Sequence, residues 1–88
     1  MYTYYLIRMD FDNGVWGYLV WDTGGRWSIT DDKTACLVFD THDEALQYYY
    51  DRFDYNTTLV GRSVIRNGSS GAKLEKAFVT TVTSTMPM

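Results

Sequence analysis

Apolar and polar residues alternate along most of this chain with the two-residue period of a strand, and one stretch changes to the period of a helix. The strand-like stretches cover residues 2–10, 15–22, 26–30, 35–39, 57–66 and 74–83, and the helical one runs from Thr41 to Phe53. Thr41 followed by Glu44 is a capping box, in which the threonine hydroxyl accepts from the N–H of residue 44. Asp43 and Glu44 add negative charge at the positive end of the helix dipole. At 100° per residue, Ala45, Leu46, Tyr49 and Phe53 form one apolar stripe, with His42 toward the same side. Asp43, Gln47 and Asp51 form the opposite, solvated face, and Tyr48 and Tyr50 flank the stripe. So short a stripe cannot hold a helix alone, so a sheet must lie beneath it.

Turn chemistry assigns a register. Asn13-Gly14 reads as a two-residue type I′ hairpin turn. It pairs Phe11 with Trp16, Met9 with Tyr18, Ile7 with Val20 and Tyr5 with Asp22. A second tight turn at Gly24-Gly25 pairs Asp22 with Trp27 and Val20 with Ile29. One face then collects Tyr5, Ile7, Met9, Phe11, Trp16, Tyr18, Val20, Trp27 and Ile29, and this face is expected to carry the helix. The other face holds Tyr4, Leu6, Arg8, Asp10, Leu19, Trp21 and Ser28. Residues 54–56 read as a turn and residues 67–71 as a flexible loop. The expected fold is a single α+β domain over residues 1–88, an antiparallel sheet of about six strands in the order ββββαββ with one helix packed on one face. Residues 84–88 are expected to fray, because Pro87 cannot donate to a ladder.

Size and composition narrow the class. The chain has 88 residues, one cysteine and 15 aromatics. Aromatics supply large buried areas to a small core. A single cysteine excludes an internal disulfide framework and fits a reducing compartment. No apolar run is long enough to span a membrane and no signal peptide is visible, so the chain reads as soluble and cytoplasmic. The net charge of −3 conceals a division. Residues 1–54 hold ten of the eleven acids but four of the eight bases, and 14 of the 15 aromatics precede residue 56.

Candidate chemistry is sparse. His42 and Cys36 are the only histidine and cysteine, too few for a zinc site, and neither has an evident partner for acid–base or nucleophilic work. Asp10, Asp12 and Asp22, or Asp31 with Asp32, read as turn carboxylates rather than cation ligands. The glycine pairs lack phosphate-loop spacing. No catalytic residue, metal or cofactor is therefore expected, and the protein is read as a non-enzyme. Direct nucleic-acid binding is also not expected, because the aromatic half is acidic. Arg62, Arg66, Lys73 and Lys76 are a small basic group with only Phe78 near them in sequence.

The acids suggest a different partner. Asp43, Gln47, Asp51 and Asp54, with the aromatic anchors Tyr48, Tyr50, Tyr55 and Trp21, would suit a protein that offers a basic groove. At Phe39-Asp-Thr-His-Asp-Glu-Ala the chain resembles small phage and mobile-element proteins in which a strand ends in Phe-Asp-Thr and a capped helix follows. Some anti-CRISPR inhibitors are similar in size, acidity and element order. The resemblance implies a non-enzymatic inhibitor in the host cytoplasm that binds a nucleic-acid-guided nuclease complex. The alternative is a generic interaction domain, such as a homodimer joined through Tyr4, Leu6, Leu19 and Trp21.

Overall fold

Two glycines set the register of the N-terminal strands, and they set it one residue away from the expected one. The computed structural model describes residues 2–53, 56–68 and 70–84. Strands β1 (Tyr2–Phe11) and β2 (Trp16–Trp21) are joined by residues 12–15. The Phe11 carbonyl accepts from the Gly14 N–H at 3.0 Å, and the Phe11 N–H donates to the Val15 carbonyl at 2.9 Å. Within this loop only Gly14 has positive φ, +85°. That is a three-residue loop closed by a left-handed bulge residue, not a type I′ turn.

The connection to β3 (Trp27–Thr30) repeats the device. Gly25 donates to the Asp22 carbonyl at 3.2 Å, Asp22 donates to the Arg26 carbonyl at 2.9 Å, and Gly25 has φ +76°. Arg8 consequently faces Tyr18 and Met9 faces Gly17, while Leu19 faces Ile29 and Trp21 faces Trp27. A one-residue slip turns a strand over. Trp16, Tyr18 and Val20 therefore leave the expected core face, and Leu19 joins it. The second slip cancels the first, so Trp27 and Ile29 stay on the face assigned to them.

Six antiparallel strands and a single helix are present among the described residues, as the pattern predicts, but three strands precede the helix and three follow it. The stretch 57–66 is a hairpin of β4 (Thr58–Val60) and β5 (Ser63–Ile65). It turns through Gly61-Arg62, with Gly61 at φ +63°. Positive φ at the first central residue alone is what a type II′ turn requires, so a single glycine divides the run. Residues 35–39 form no strand. Leu37 N–H donates to the Leu19 carbonyl at 3.0 Å, and Phe39 exchanges two 2.9 Å bonds with Tyr5. The segment thus fills the gap where β1 and β2 part.

The sheet closes into a barrel in the order β1-β2-β3-β5-β4-β6, where β6 is Ala72–Ser84. The long β6 first pairs with β4, Leu59 facing Ala72, and then runs along the whole of β1, from Phe11–Leu74 to Tyr2–Ser84. Its register shifts at Glu75, because Asp10 faces Lys76 while Phe11 faces Leu74. Such a bulge bends a strand and lets it serve two neighbours. Inside the barrel lie Ile7, Met9, Phe11, Leu19, Ile29, Leu59 and Val64, all buried. Each contributes on the order of 1.5–3 kcal/mol by leaving water.

Helix α1 (His42–Arg52) starts as its sequence specifies, with the Thr41 hydroxyl accepting from the Glu44 N–H at 3.1 Å. It packs against β1 and β6. Ala45 and Phe53 are buried in the core, and Tyr48 and Tyr49 pack on it. His42 is exposed at the helix start, with its ring edge-on to Tyr5 at 6.1 Å. The expected 54–56 turn falls partly, and the expected frayed tail almost wholly, outside the described residues.

Candidate functional site

The exposed side of α1 holds the acidic candidates together. Asp43 is fully exposed, and the Gln47 amide donates to the Asp51 carboxylate at 2.7 Å one turn along. Tyr50 is 68% exposed and borders this acidic stripe. On its other side Tyr50 helps to line a cleft of about 390 Å³ between α1 and β6. Tyr49, Phe53, Leu74 and Ala77 form the apolar part of that cleft, with Glu75 and Lys76 beside them. A hollow for an apolar side chain thus adjoins a negatively charged helix face.

Tyr48 and Trp21 do not join this surface. The Trp27 indole N–H donates to the Tyr48 hydroxyl at 3.1 Å, and the Tyr48 ring lies 5.2 Å from Phe39. The Arg52 guanidinium covers the same ring at 3.9 Å. Tyr48 is therefore part of the packing beneath the helix. Trp21 is exposed at the end of β2, where its ring meets Trp27 edge-on at 4.9 Å. Asp54 and Tyr55 lie outside the described residues. The face expected to join a homodimer is also dispersed, since Leu6 and Leu19 are completely buried and point to opposite sides of the sheet.

The turn carboxylates hold backbone. Asp22 accepts from the N–H groups of Gly24 at 2.9 Å and Arg26 at 3.1 Å. Asp12 accepts from the Lys73 N–H at 3.1 Å, which ties the first hairpin to β6. The Thr34 hydroxyl and N–H bond Asp32 and hold its carboxyl below the usual value. Burial pushes the Cys36 thiol up, and the nearby Asp32 charge adds to the effect. A raised thiol is a poorer nucleophile at neutral pH. Among the described residues, no three His, Cys, Asp or Glu side chains group as metal ligands would.

Sequence reasoning missed a second constellation, on the outer wall formed by β6, β1 and β2. The observed register sets Phe78, Arg8 and Tyr18 in one row and Lys76, Asp10 and Trp16 in the next. A three-residue reading of the Asp12-Asn13-Gly14 loop would have placed Trp16 and Tyr18 beside Asp10 and Arg8. No local signal announces that β6 lies on their other side.

The molecule is thus defined as a closed six-stranded antiparallel barrel with one helix packed against β1 and β6. Compared with protein-family models, curated proteins and solved structures, the chain matches none. No helix among the described residues is long and apolar enough to cross a membrane.

Proposed function

We propose that the protein is a non-catalytic binding domain whose partner is a protein with a basic surface. The observation that carries this reading is the juxtaposition of the acidic α1 face with the apolar cleft behind Tyr50. Interfaces concentrate affinity in an apolar anchor seated in a pocket, while surrounding charge steers encounter and selects the partner. Asp43 and Asp51 supply the charge, and Tyr50, Tyr49 and Phe53 receive the anchor. A groove built to hold nucleic acid is one such basic surface. The inhibitor of a nucleic-acid-guided nuclease complex, acting in the host cytoplasm, is the particular form of this reading that the resemblance implies.

The test is capture from bacterial lysate treated with nuclease, comparing the wild-type protein with Asp43→Lys/Asp51→Lys and with Tyr50→Ala. A single stoichiometric partner, released by salt and lost with both variants while their melting temperatures hold, is the expected result. Equal capture by the charge-reversed protein would remove α1 from the interface. Isolation of the partner with its guide nucleic acid and nuclease activity would separate the inhibitor form from a general binding role.

A further inference from the structure

The fold undoes the division of charge that the sequence displays. Basic β6 lies directly beside aromatic β1, so rings and cations that are far apart along the chain share one wall. The Arg8 guanidinium lies 4.1 Å from the Trp16 ring centre and 5.6 Å from that of Phe78. The Lys76 ammonium is 5.0 Å from Phe78, and the Lys33 ammonium is 5.9 Å from Tyr18. Trp16 remains 41% exposed and Phe78 37% exposed. Asp10 is the one carboxylate in the two rows, and it accepts from Arg8 Nε at 2.9 Å.

We propose that this wall is a binding site for single-stranded nucleic acid. Bases stack on the exposed rings of Trp16 and Phe78, and the phosphates follow Arg8, Lys33 and Lys76. Both requirements of such a site are met within a few ångströms: planar apolar surface for bases, and cations beside it for the backbone. The cation–π contacts hold Arg8 and Lys76 against the rings, so the charges are positioned before any ligand arrives. In a duplex the base faces are already stacked on one another, which leaves the rings nothing to gain and selects the single strand. Helix α1 packs beside the inward-facing Ile7, Ala77 and Val79, with which Lys76 and Phe78 alternate along β6, and Phe78 also borders the small hollow lined by Leu46, Tyr49 and Tyr50 of α1. The site shares Lys76 with the rim of the cleft proposed to receive a protein, but neither Trp16 nor Phe78 lines that cleft, so the ring substitutions test this proposal alone.

The experiment is fluorescence anisotropy with labelled oligo-dT and oligo-rU of about fifteen nucleotides, a length within the range one small barrel can occupy. A mixed-sequence duplex of the same length serves as competitor. Wild-type protein is expected to bind at low salt and to weaken as salt rises. Trp16→Ala and Phe78→Ala should each weaken binding about tenfold, the loss of one stacked base. Lys76→Ala should flatten the salt dependence. Trp16→Leu, which keeps apolar area but removes the planar face, guards against an alanine variant that fails to fold. Far-UV circular dichroism and melting establish the fold of each variant. The relative strength of oligo-dT and oligo-rU identifies DNA or RNA as the natural source. Absence of binding at low salt, undiminished binding by the Trp16→Ala/Phe78→Ala double variant, or competition by duplex as strong as by single strand would overturn the proposal.

Discussion

Replacing Gly17 by alanine tests the register of the barrel directly. Gly17 faces Met9 across the β1–β2 ladder, and a β-carbon built on it would lie 2.7 Å from Ile29 Cβ and 3.2 Å from Ile29 Cγ1 and Cδ1. Carbon atoms in contact prefer about 3.5–4.0 Å. Neither β-carbon can rotate aside, because each is fixed to its backbone, so β2 and β3 must separate locally. Overpacking of this kind costs about 1–3 kcal/mol. The gain from removing a glycine's excess freedom in a strand returns about 0.5–1 kcal/mol. A net loss of about 1–2 kcal/mol is expected, or a fall in melting temperature of roughly 4–15 °C for a domain of this size. Urea titration followed by tryptophan fluorescence should show a lower midpoint with an unchanged slope. Ile29→Val in the same background should not rescue the variant, because valine keeps the offending β-carbon. In the register expected from a type I′ turn, Gly17 faces away from Met9 and Ile29, and Gly17→Ala is neutral or stabilising. That outcome would refute both the close contact and the three-residue loop behind it.

Other consequences can be checked on the same protein. Thr41→Ala removes the hydroxyl that caps α1, and chemical denaturation should register a loss of about 1 kcal/mol. Tyr48→Phe deprives the Trp27 indole N–H of its acceptor. It should cost about 1–2 kcal/mol while leaving partner capture intact, since the ring lies beneath the helix. The Cys36 thiol titrates above its ordinary range in the folded chain because it is partly buried. Its reaction with a disulfide reagent near pH 8 should thus be slower than in the urea-unfolded chain, with the gap narrowing as pH rises. The linked stability is complete below the unfolded thiol's pKa and is lost as pH climbs through the folded one, an effect that Cys36→Ser removes.

Local chemistry was legible in the sequence wherever it was decided locally. The Thr41–Glu44 spacing located the helix start, and period-two alternation located β1, β2, β3 and β6. The register was not legible, because Asn13-Gly14 and Gly24-Gly25 each suit both a two-residue and a three-residue loop. The choice between them is made by which face of β2 the core accepts: Leu19 packs against Ile29 inside the barrel, while Tyr18 is buried on the other face against Trp16. Residues 35–39 alternate like a strand, yet the gap between β1 and β2 admits only one bond from Leu37 to Leu19 and the reciprocal pair between Phe39 and Tyr5. Of the partner-binding candidates, Asp43, Gln47, Asp51 and Tyr50 share one surface, whereas Tyr48 is drawn inward by Trp27 and Arg52. The wall of Trp16, Arg8 and Phe78 depends on the pairing of β1 with β6, strands too far apart in the chain for any one window of sequence to contain both.

That pairing also governs when the molecule can form. The longest ladder in the barrel joins β1, the first strand, to β6, the last, with Tyr2 opposite Ser84. Closing so large a loop must precede the contacts that reward it, which slows folding relative to a chain built from local hairpins. During synthesis, Ile7 and Met9 wait without their neighbours Val79 and Ala77 until β6 has emerged. The barrel therefore closes as one late event, and truncation within β6 should abolish the whole fold rather than trim its edge.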